Sequence, residues 1–117
     1  MEIEFDNLKV SKLFSNLSLM EREKGKEITR KIKLRCDQIH AAETFDIYLK
    51  NAPGKCHPLK GNRKGQFGVS IDRNKRLVIM PIVENGDMSE QSLKKCKKII
   101  IKGVIDYHGD KETIYIP

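Results

Sequence analysis

The sequence predicts an α+β fold in which helices from the first half of the chain pack on one face of an antiparallel sheet of four or five strands. Two observations support this prediction. Apolar residues in the first half recur at the spacing of amphipathic helices, whereas those in the second half alternate or run together as they do in strands. Helices followed by strands are typical of α+β domains. At 117 residues, the chain is expected to form one domain, residues 1–117, with a single core.

The start of the chain predicts a short strand and two helical segments. Ile3 and Phe5 alternate with acidic residues, which is the pattern of a half-buried strand. Asp6 or Asn7 then caps a helix. The apolar stripe of this helix consists of Val10, Leu13, Phe14 and Leu17. A capping box that begins at Ser18 predicts that the helix restarts there after a kink.

The longest predicted helix follows Gly25 and runs from Lys26 to about Ala42. Its apolar residues recur at helical spacing and are Ile28, Ile32, Cys36 and Ile39. One or two further helical turns are expected around Tyr48. The Pro- and Gly-containing segment at residues 51–54 ends them.

A hairpin is predicted after this loop. Residues 67–72 alternate between apolar and polar, the dipeptide Arg73-Asn74 turns the chain, and residues 76–83 form the second strand. Because Pro81 has no amide hydrogen, the second strand is expected to lie at an edge of the sheet or to carry a bulge near its end.

The remainder of the chain predicts one short helix and two strands. A polar segment at residues 85–97 is expected to contain a helical turn capped by Ser89. Isoleucine and valine residues between 99 and 105 predict a buried strand, and residues 113–116 predict a shorter one.

Most of the net positive charge lies in one stretch. The formal net charge is +7, and between Lys55 and Arg76 there are seven basic residues against one acid. This stretch begins with CHPLKGNRKG, residues 56–65, in which His57 lies beside several cations. Clustered Lys and Arg residues bind polyanions because they neutralise phosphates and release counterions. The alternative interpretation is a solvated basic loop with a surface histidine.

Several classes of protein are disfavoured. No apolar run approaches the roughly 18 residues of a membrane span. The acidic segment MEIEFD at residues 1–6 is unlike a signal peptide, so a cytoplasmic location without membrane contact is predicted. Three cysteines without a CxxC pair indicate reduced thiols rather than disulfides or structural zinc, and no metal or cofactor is predicted. The absence of a GxxxxGK[ST] motif disfavours nucleotide hydrolysis of the P-loop type.

Asp106, Tyr107 and His108 directly follow the predicted buried strand. A carboxylate, a phenol and a side chain that titrates near neutrality are groups that general acid–base catalysis uses. The alternative is that the tyrosine and the histidine pack at the rim of the core while the aspartate turns the chain. His40, within the long helix, is expected to be structural.

Two motifs together resemble a known family. The run CHPLKGNRKGQFGVSID followed by KRLVIMP, with a late strand that ends in DYH, resembles the HigB-type toxins of the RelE/ParE superfamily, found in bacterial type II toxin–antitoxin systems. The resemblance extends over nearly the whole chain, because the family also has a strand, two helices and then an antiparallel sheet.

This resemblance implies a metal-independent endoribonuclease that cuts mRNA in the A site of the 70S ribosome. The motif histidine and lysine of the family correspond to His57 and Lys60, and its sheet arginine corresponds to Arg76. Its other site residues correspond to Asp106, Tyr107 and His108. The implied partner is a small helix-turn-helix antitoxin of the HigA type.

The chemistry of these residues agrees with that implication. RNA cleavage without a metal needs a base for the 2′-hydroxyl, cations for the phosphate and an acid for the leaving oxygen. His57 and His108 can supply the base and the acid in either order, and the adjacent aspartate would orient His108. Lys60 and Arg76 would hold the phosphate, while the tyrosine would stack on a base or hydrogen-bond the phosphate. Positioning contacts to RNA or ribosome are expected from Lys55, Arg63, Lys64, Arg73 and Lys75.

The sequence departs from the family in two places. A longer polar segment, residues 84–97, precedes the DYH strand, and nine residues follow His108 where the family usually stops sooner. If residues 113–116 fold back over the site, His108 would be screened. The domain would then be a catalytically inactive module that binds nucleic acid or a partner. A gyrase-poisoning toxin of the same superfamily is a further alternative, disfavoured by the His and Lys residues.

Overall fold

The computed structural model describes residues 1–109 and 111–117 and confirms the α+β fold. The helices and strands are, in chain order, β1 (Glu2–Phe5), α1 (Leu8–Phe14), α2 (Leu17–Lys24), α3 (Lys26–Ala41), α4 (Phe45–Asn51), β2 (His57–Pro58), β3 (Phe67–Ser70), β4 (Lys75–Pro81), α5 (Glu90–Lys95), β5 (Lys98–His108) and β6 (Lys111–Ile116). Within the described residues, no helix combines the length and the apolar character that a bilayer crossing requires.

The strands form one mixed sheet in the order β1-β5-β4-β3-β2, with β6 also paired to β5. β1 runs parallel to β5, with Phe5 opposite Ile101, whereas the other pairings are antiparallel. The prediction of four or five antiparallel strands is therefore wrong in number and in the direction of β1. Alternation at Ile3 and Phe5 indicates a half-buried strand but not its direction. The long connection between β1 and β5 makes the parallel pairing possible.

β5 is the strand that joins the sheet together. β4 pairs along one of its edges, while the other edge is shared by β1, which ends opposite Ile101, and β6, which ends opposite Val104. Lys102 is an extra residue of β5 and forms a bulge. Gly103 follows with a φ of 146°, and a Cβ atom there would lie 2.1 Å from the carbonyl oxygen of Ile116. Only glycine permits β6 to approach this closely.

Of the two alternatives predicted for Pro81, an edge position or a bulge in its own strand, the structure shows the first, because the pairing of β4 with β3 ends before Pro81. The register shift falls between Val78 and Ile79, two residues before Pro81. Ile79 is also the last residue of β4 that pairs with β3. The proline therefore removes no hydrogen bond from the β3–β4 ladder.

Helix caps follow the predicted chemistry with one exception. Asn7 caps α1 by accepting a hydrogen bond from the Val10 amide, and Ser89 caps α5. α2 begins two residues earlier than the capping box indicates, because Asn16 Oδ1 accepts from the Leu19 amide at 3.1 Å. Asn16 has a non-helical backbone that lets its side chain reach this amide, whereas Ser18 already lies in the first turn.

The core lies between the helices and one face of the sheet. Its fully buried helix residues are Val10, Met20, Ile32, Ile39, Phe45 and Tyr48. Its buried sheet residues are Phe67, Val69, Leu77, Ile79, Ile99, Ile101, Val104 and Ile116. Phe45 and Phe67 meet edge to face with ring centroids 4.9 Å apart, which joins α4 to β3. The opposite face of the sheet is turned away from this core.

Replacing Gly103 should detach β6 from β5. The change Gly103→Ala places a methyl group against the Ile116 carbonyl at a φ that only glycine tolerates, so the free energy of unfolding should fall by about 2–4 kcal/mol. Urea unfolding measures this loss. Gly86→Ala is the matched control, because Gly86 also has a positive φ but a Cβ there meets nothing within 4 Å, and it should cost only about 1 kcal/mol. Equal losses for the two variants would contradict the proposed clash.

Candidate functional site

The strand register divides the candidate residues between the two faces of the sheet. Paired residues of neighbouring strands point to the same face, and successive residues of one strand alternate between faces. Val69, Leu77 and Val104 point to the helices. The opposite face, called the open face below, carries His57, Ser70, Arg76, Ile105, Tyr107 and Glu112.

A groove of about 700 Å³ lies near the end of β3 and is called the basic groove. Its basic lining residues are Arg35, Lys55, His57, Arg73 and Arg76. Among the described residues that line it, Asp72 is the one acid. The Asp72 carboxylate is engaged by its own turn, where it accepts hydrogen bonds from the amides of Asn74 and Lys75 at 2.9 and 2.8 Å. The groove therefore concentrates positive charge, as a phosphate-binding site requires.

His57 is exposed on β2, and a nearby backbone carbonyl orients its ring. Its Nδ1 atom lies 2.9 Å from the carbonyl oxygen of Lys55. Because a carbonyl only accepts hydrogen bonds, Nδ1 carries the proton in this contact, and the neutral ring then presents Nε2 as an acceptor. This tautomer suits His57 to take a proton through Nε2.

Two arginines of the basic groove are held by backbone carbonyls. Arg76 Nη1 donates to the carbonyl oxygens of Asp72 and Lys75, both at 3.0 Å. Arg35, on α3, donates from Nε to the Ser70 carbonyl at 2.8 Å. The sequence pattern does not identify Arg35 as a site residue, because it is one of several cations on the polar side of α3. Its hydrogen bond to the Ser70 carbonyl, at the end of β3, holds it at the groove.

The loop that joins β2 to β3 also lies against the open face. It carries Lys60, Arg63 and Lys64, and the first two line a cleft of about 390 Å³ together with Tyr107 and Glu112. This space is called the loop cleft. Lys60 and Lys64 are exposed, whereas Arg63 is partly buried. The loop packs on the sheet through Leu59, whose Cδ2 lies 3.1 Å from the position of a Cβ on Gly68.

Arg63 and Glu112 form a bidentate ion pair inside the loop cleft. Arg63 Nε and Nη2 donate to the two carboxylate oxygens of Glu112, each at 3.1 Å, and the Tyr107 hydroxyl donates to the same carboxylate at 3.4 Å. The hydrogen bonds from Arg63 hold the pKa of Glu112 below its usual range. Burial raises the pKa of Tyr107, and the charge of Glu112 adds to the effect. Glu112 is not among the site residues predicted from the sequence, because it belongs to no recognised motif.

Asp106, His108 and Lys75 lie at the rim of the opposite, helix-covered face. His108 Nε2 is 3.2 Å from Asp106 Oδ1, as expected for an orienting carboxylate. Oδ1 nevertheless has no hydrogen-bond partner among the described residues, so this contact is electrostatic. Lys75 Nζ lies between Asp72 and Asp106, at 3.5 and 3.7 Å, and so is engaged within the fold. The role of Lys75 as an RNA contact stays a prediction.

The expected pairing of His57 with His108 is not found. The two side chains lie on opposite faces because Tyr107, between Asp106 and His108, is the residue of this tripeptide that points to the open face. The side chain of His108 remains 64% exposed. β6 does not fold over the sheet but pairs beside β5 and extends it. The structure thus brings together His57 with Arg76, and Lys60 with Tyr107.

Among the described residues, the thiols and the possible metal ligands form no further site. Burial raises the pKa of Cys36 and of Cys56 to about 12, so both remain protonated at neutral pH. Within the described residues, no three His, Cys, Asp or Glu side chains are arranged to hold a metal ion.

Comparison with known proteins identifies structural relatives. The YoeB-YefM complex from Staphylococcus aureus matches with a TM-score of 0.54 and 20% identity, over 92% of this chain and 97% of that chain. A YoeB/ParE toxin from Agrobacterium tumefaciens matches with a TM-score of 0.53 and 14% identity, over 92% of this chain and 100% of that chain. The chain has the YoeB/ParE toxin fold. No family profile and no curated protein sequence matches it. At 20% and 14% identity, the likeness to these two structures is one of fold.

The turn that holds Arg76 should depend on ionised Asp72. Burial acts to raise the pKa of Asp72, but hydrogen bonds from Asn74 and Lys75 and the Lys75 charge outweigh it, so the pKa is lowered. A lowered folded-state pKa adds stability above the unfolded value, about 3.9, and this stability is lost as pH falls through the folded value. Asp72→Ala should therefore cost about 1 kcal/mol at pH 7 and less below pH 4, as measured by urea unfolding.

Asp72→Asn is the matched control for this prediction. The asparagine side chain can still accept hydrogen bonds from the turn amides but has no charge. Its loss of stability at neutral pH should be smaller than that of the alanine variant. A cost of Asp72→Ala that stays constant from pH 7 to pH 3 would contradict the assignment.

Proposed function

We propose that this protein is a HigB-type toxin of a type II toxin–antitoxin system, a single domain that cuts mRNA in the ribosomal A site without a metal. The observation that carries the proposal is the basic groove, where His57 and Arg76 lie with three further cations on a YoeB/ParE fold. Its site of action is the cytoplasm, where ribosomes and mRNA meet.

In the proposed reaction, His57 Nε2 takes the proton of a ribose 2′-hydroxyl, and the 2′-oxygen attacks the adjacent phosphorus. The bond between phosphorus and the 5′-oxygen breaks, which leaves a 2′,3′-cyclic phosphate and a 5′-hydroxyl. Arg76 and Lys60 stabilise the charge that builds up on the phosphoryl oxygens. A positioned general base contributes about 10²–10⁴-fold to such a rate.

The acid that protonates the leaving 5′-oxygen is assigned to Tyr107. It shares the open face with Arg76, whereas His108 points to the other face. A phenol is protonated at neutral pH, so that a proton is available for transfer. Asp106 and His108 then act as a pair that supports the end of β5, rather than as the acid and its orienting group.

Exposed cations around the two cavities supply positioning contacts. Lys55, Lys64 and Arg73 are solvent-exposed, and each is suited to contact RNA or ribosome backbone rather than to take part in the chemistry. The partner that silences the toxin is proposed to be a small helix-turn-helix antitoxin of the HigA type. The presence of YefM in the complex of the structural relative supports a partner of this kind.

Removing His57 should abolish cleavage while leaving the fold intact. His57→Ala should lower the single-turnover rate of mRNA cleavage on programmed ribosomes by about 10² or more, because the base is lost. Primer extension locates the A-site cuts and gives the rate. His40→Ala, which changes an exposed histidine on α3, is the control and should cleave as the wild type does. His108→Ala should lose less than His57→Ala, and unchanged cleavage by His57→Ala would refute the mechanism.

A binding module without catalysis is the alternative, favoured by one observation. Glu112 occupies Arg63 and contacts Tyr107, which places a negative charge beside the proposed acid. In that case RNA binding should weaken steeply with salt, because phosphate contacts release counterions, while ribosomes programmed with mRNA should show no cuts.

A further inference from the structure

The loop cleft already contains a ligand-like group that the chain itself supplies. Glu112, on β6, reaches the loop after β2, and both of its oxygens accept hydrogen bonds from Arg63 at 3.1 Å. Tyr107 adds a third donor at 3.4 Å, and Lys60 borders the same space. The carboxylate is therefore surrounded by the donor groups that bind anions.

The geometry of this contact is the one in which arginine binds phosphate. A planar guanidinium offers two parallel N–H donors, which match two oxygens of a carboxylate or two oxygens of a phosphate. A phosphodiester has two such non-bridging oxygens. It therefore offers Arg63 the same pair of acceptors as the carboxylate of Glu112.

The Arg63–Glu112 ion pair is exposed enough for another anion to replace Glu112. The side chains of Arg63 and Glu112 are 25% and 38% exposed, and Glu112 is on β6, the last strand paired at this edge of β5. Ion pairs in contact with solvent contribute little net free energy, because water and salt screen them. A phosphate from a bound polyanion, held by other contacts as well, can replace the carboxylate.

The loop cleft lies on the same face of the sheet as Arg76. Arg76, in the basic groove, is opposite Ile105, and Tyr107 is two residues further along β5. Two residues of a strand span about 7 Å. An RNA strand that lies along the open face would therefore pass both Arg76 and the loop cleft.

We propose that the loop cleft is a phosphodiester subsite for the RNA strand, and that Glu112 is an internal competitor that occupies Arg63 until RNA displaces it. The identification of the ligand as RNA rests on the proposed function. Its consequence is that β6, the segment in which the sequence departs from HigB-type toxins, lowers RNA affinity through one side chain.

The test measures binding of an RNA that cannot be cleaved. A fluorescent single-stranded RNA with 2′-O-methyl groups throughout has no attacking hydroxyl, so its anisotropy reports affinity alone. Glu112→Gln should tighten binding about two- to fivefold at moderate salt, because the competing charge is removed. Arg63→Ala should weaken binding. In the Arg63→Ala background, Glu112→Gln should have almost no further effect.

Glu90→Gln is the matched control for net charge. Glu90 is an exposed acid on α5 that pairs with Lys50 and Lys94, so its removal changes the total charge by the same amount at another place. It should alter affinity less than Glu112→Gln. Glu112→Asp keeps the charge on a shorter side chain and should give an intermediate affinity. Thermal unfolding of each variant verifies that it is folded.

Two results would overturn this inference. One is an affinity of Glu112→Gln equal to that of the wild type or of Glu90→Gln. The other is the same tightening with and without Arg63, which would show that Glu112 acts through general repulsion. Neither result depends on cleavage. Failure of the proposed function would show instead as intact mRNA on programmed ribosomes, whatever the affinity for methylated RNA.

Discussion

The backbone of β5 forms hydrogen bonds with three other strands, and the rest of the sheet depends on how its two edges are shared. β4 follows one edge, while β1 and β6 divide the other on either side of Gly103. A side chain at Gly103 would collide with the Ile116 carbonyl, so the approach of β6 requires a residue without Cβ. The bulge at Lys102 allows the edge to change partner without a break in the pairing with β4. β6 then continues the sheet beyond the end of β1.

This arrangement determines which side chains can act together. Alternation along β5 sends Tyr107 to the open face and its two neighbours, Asp106 and His108, to the helix-covered face. Antiparallel pairing then places Glu112 of β6 beside Tyr107 on the open face. The three consecutive residues that the sequence suggests as one site are therefore divided between the two faces. Glu112, only five residues after Tyr107, joins it on the open face.

The cations of the basic stretch, residues 55–76, differ in how available they are to a ligand. Some of its cations are held within the fold by acids: Lys75 lies between Asp72 and Asp106, and Arg63 is bound by Glu112. Others, including Lys60, are exposed on the loop after β2. Net charge from composition thus overstates the charge available to a polyanion, since each internal ion pair screens a cation at short range. Arg35 lies outside this stretch, on α3, and yet its side chain lines the basic groove.

The sequence by itself determined the α+β class, most helix boundaries and the basic stretch with His57 and Arg76, because these follow from local periodicity, backbone chemistry and the order of residues. The direction of β1, the separation of His108 from His57 and the presence of Arg35 and Glu112 in the site were decided only by the tertiary structure. Each depends on pairing between residues far apart in the chain. Alternation shows that a strand has two faces, but only its register with a partner shows which side chains share one.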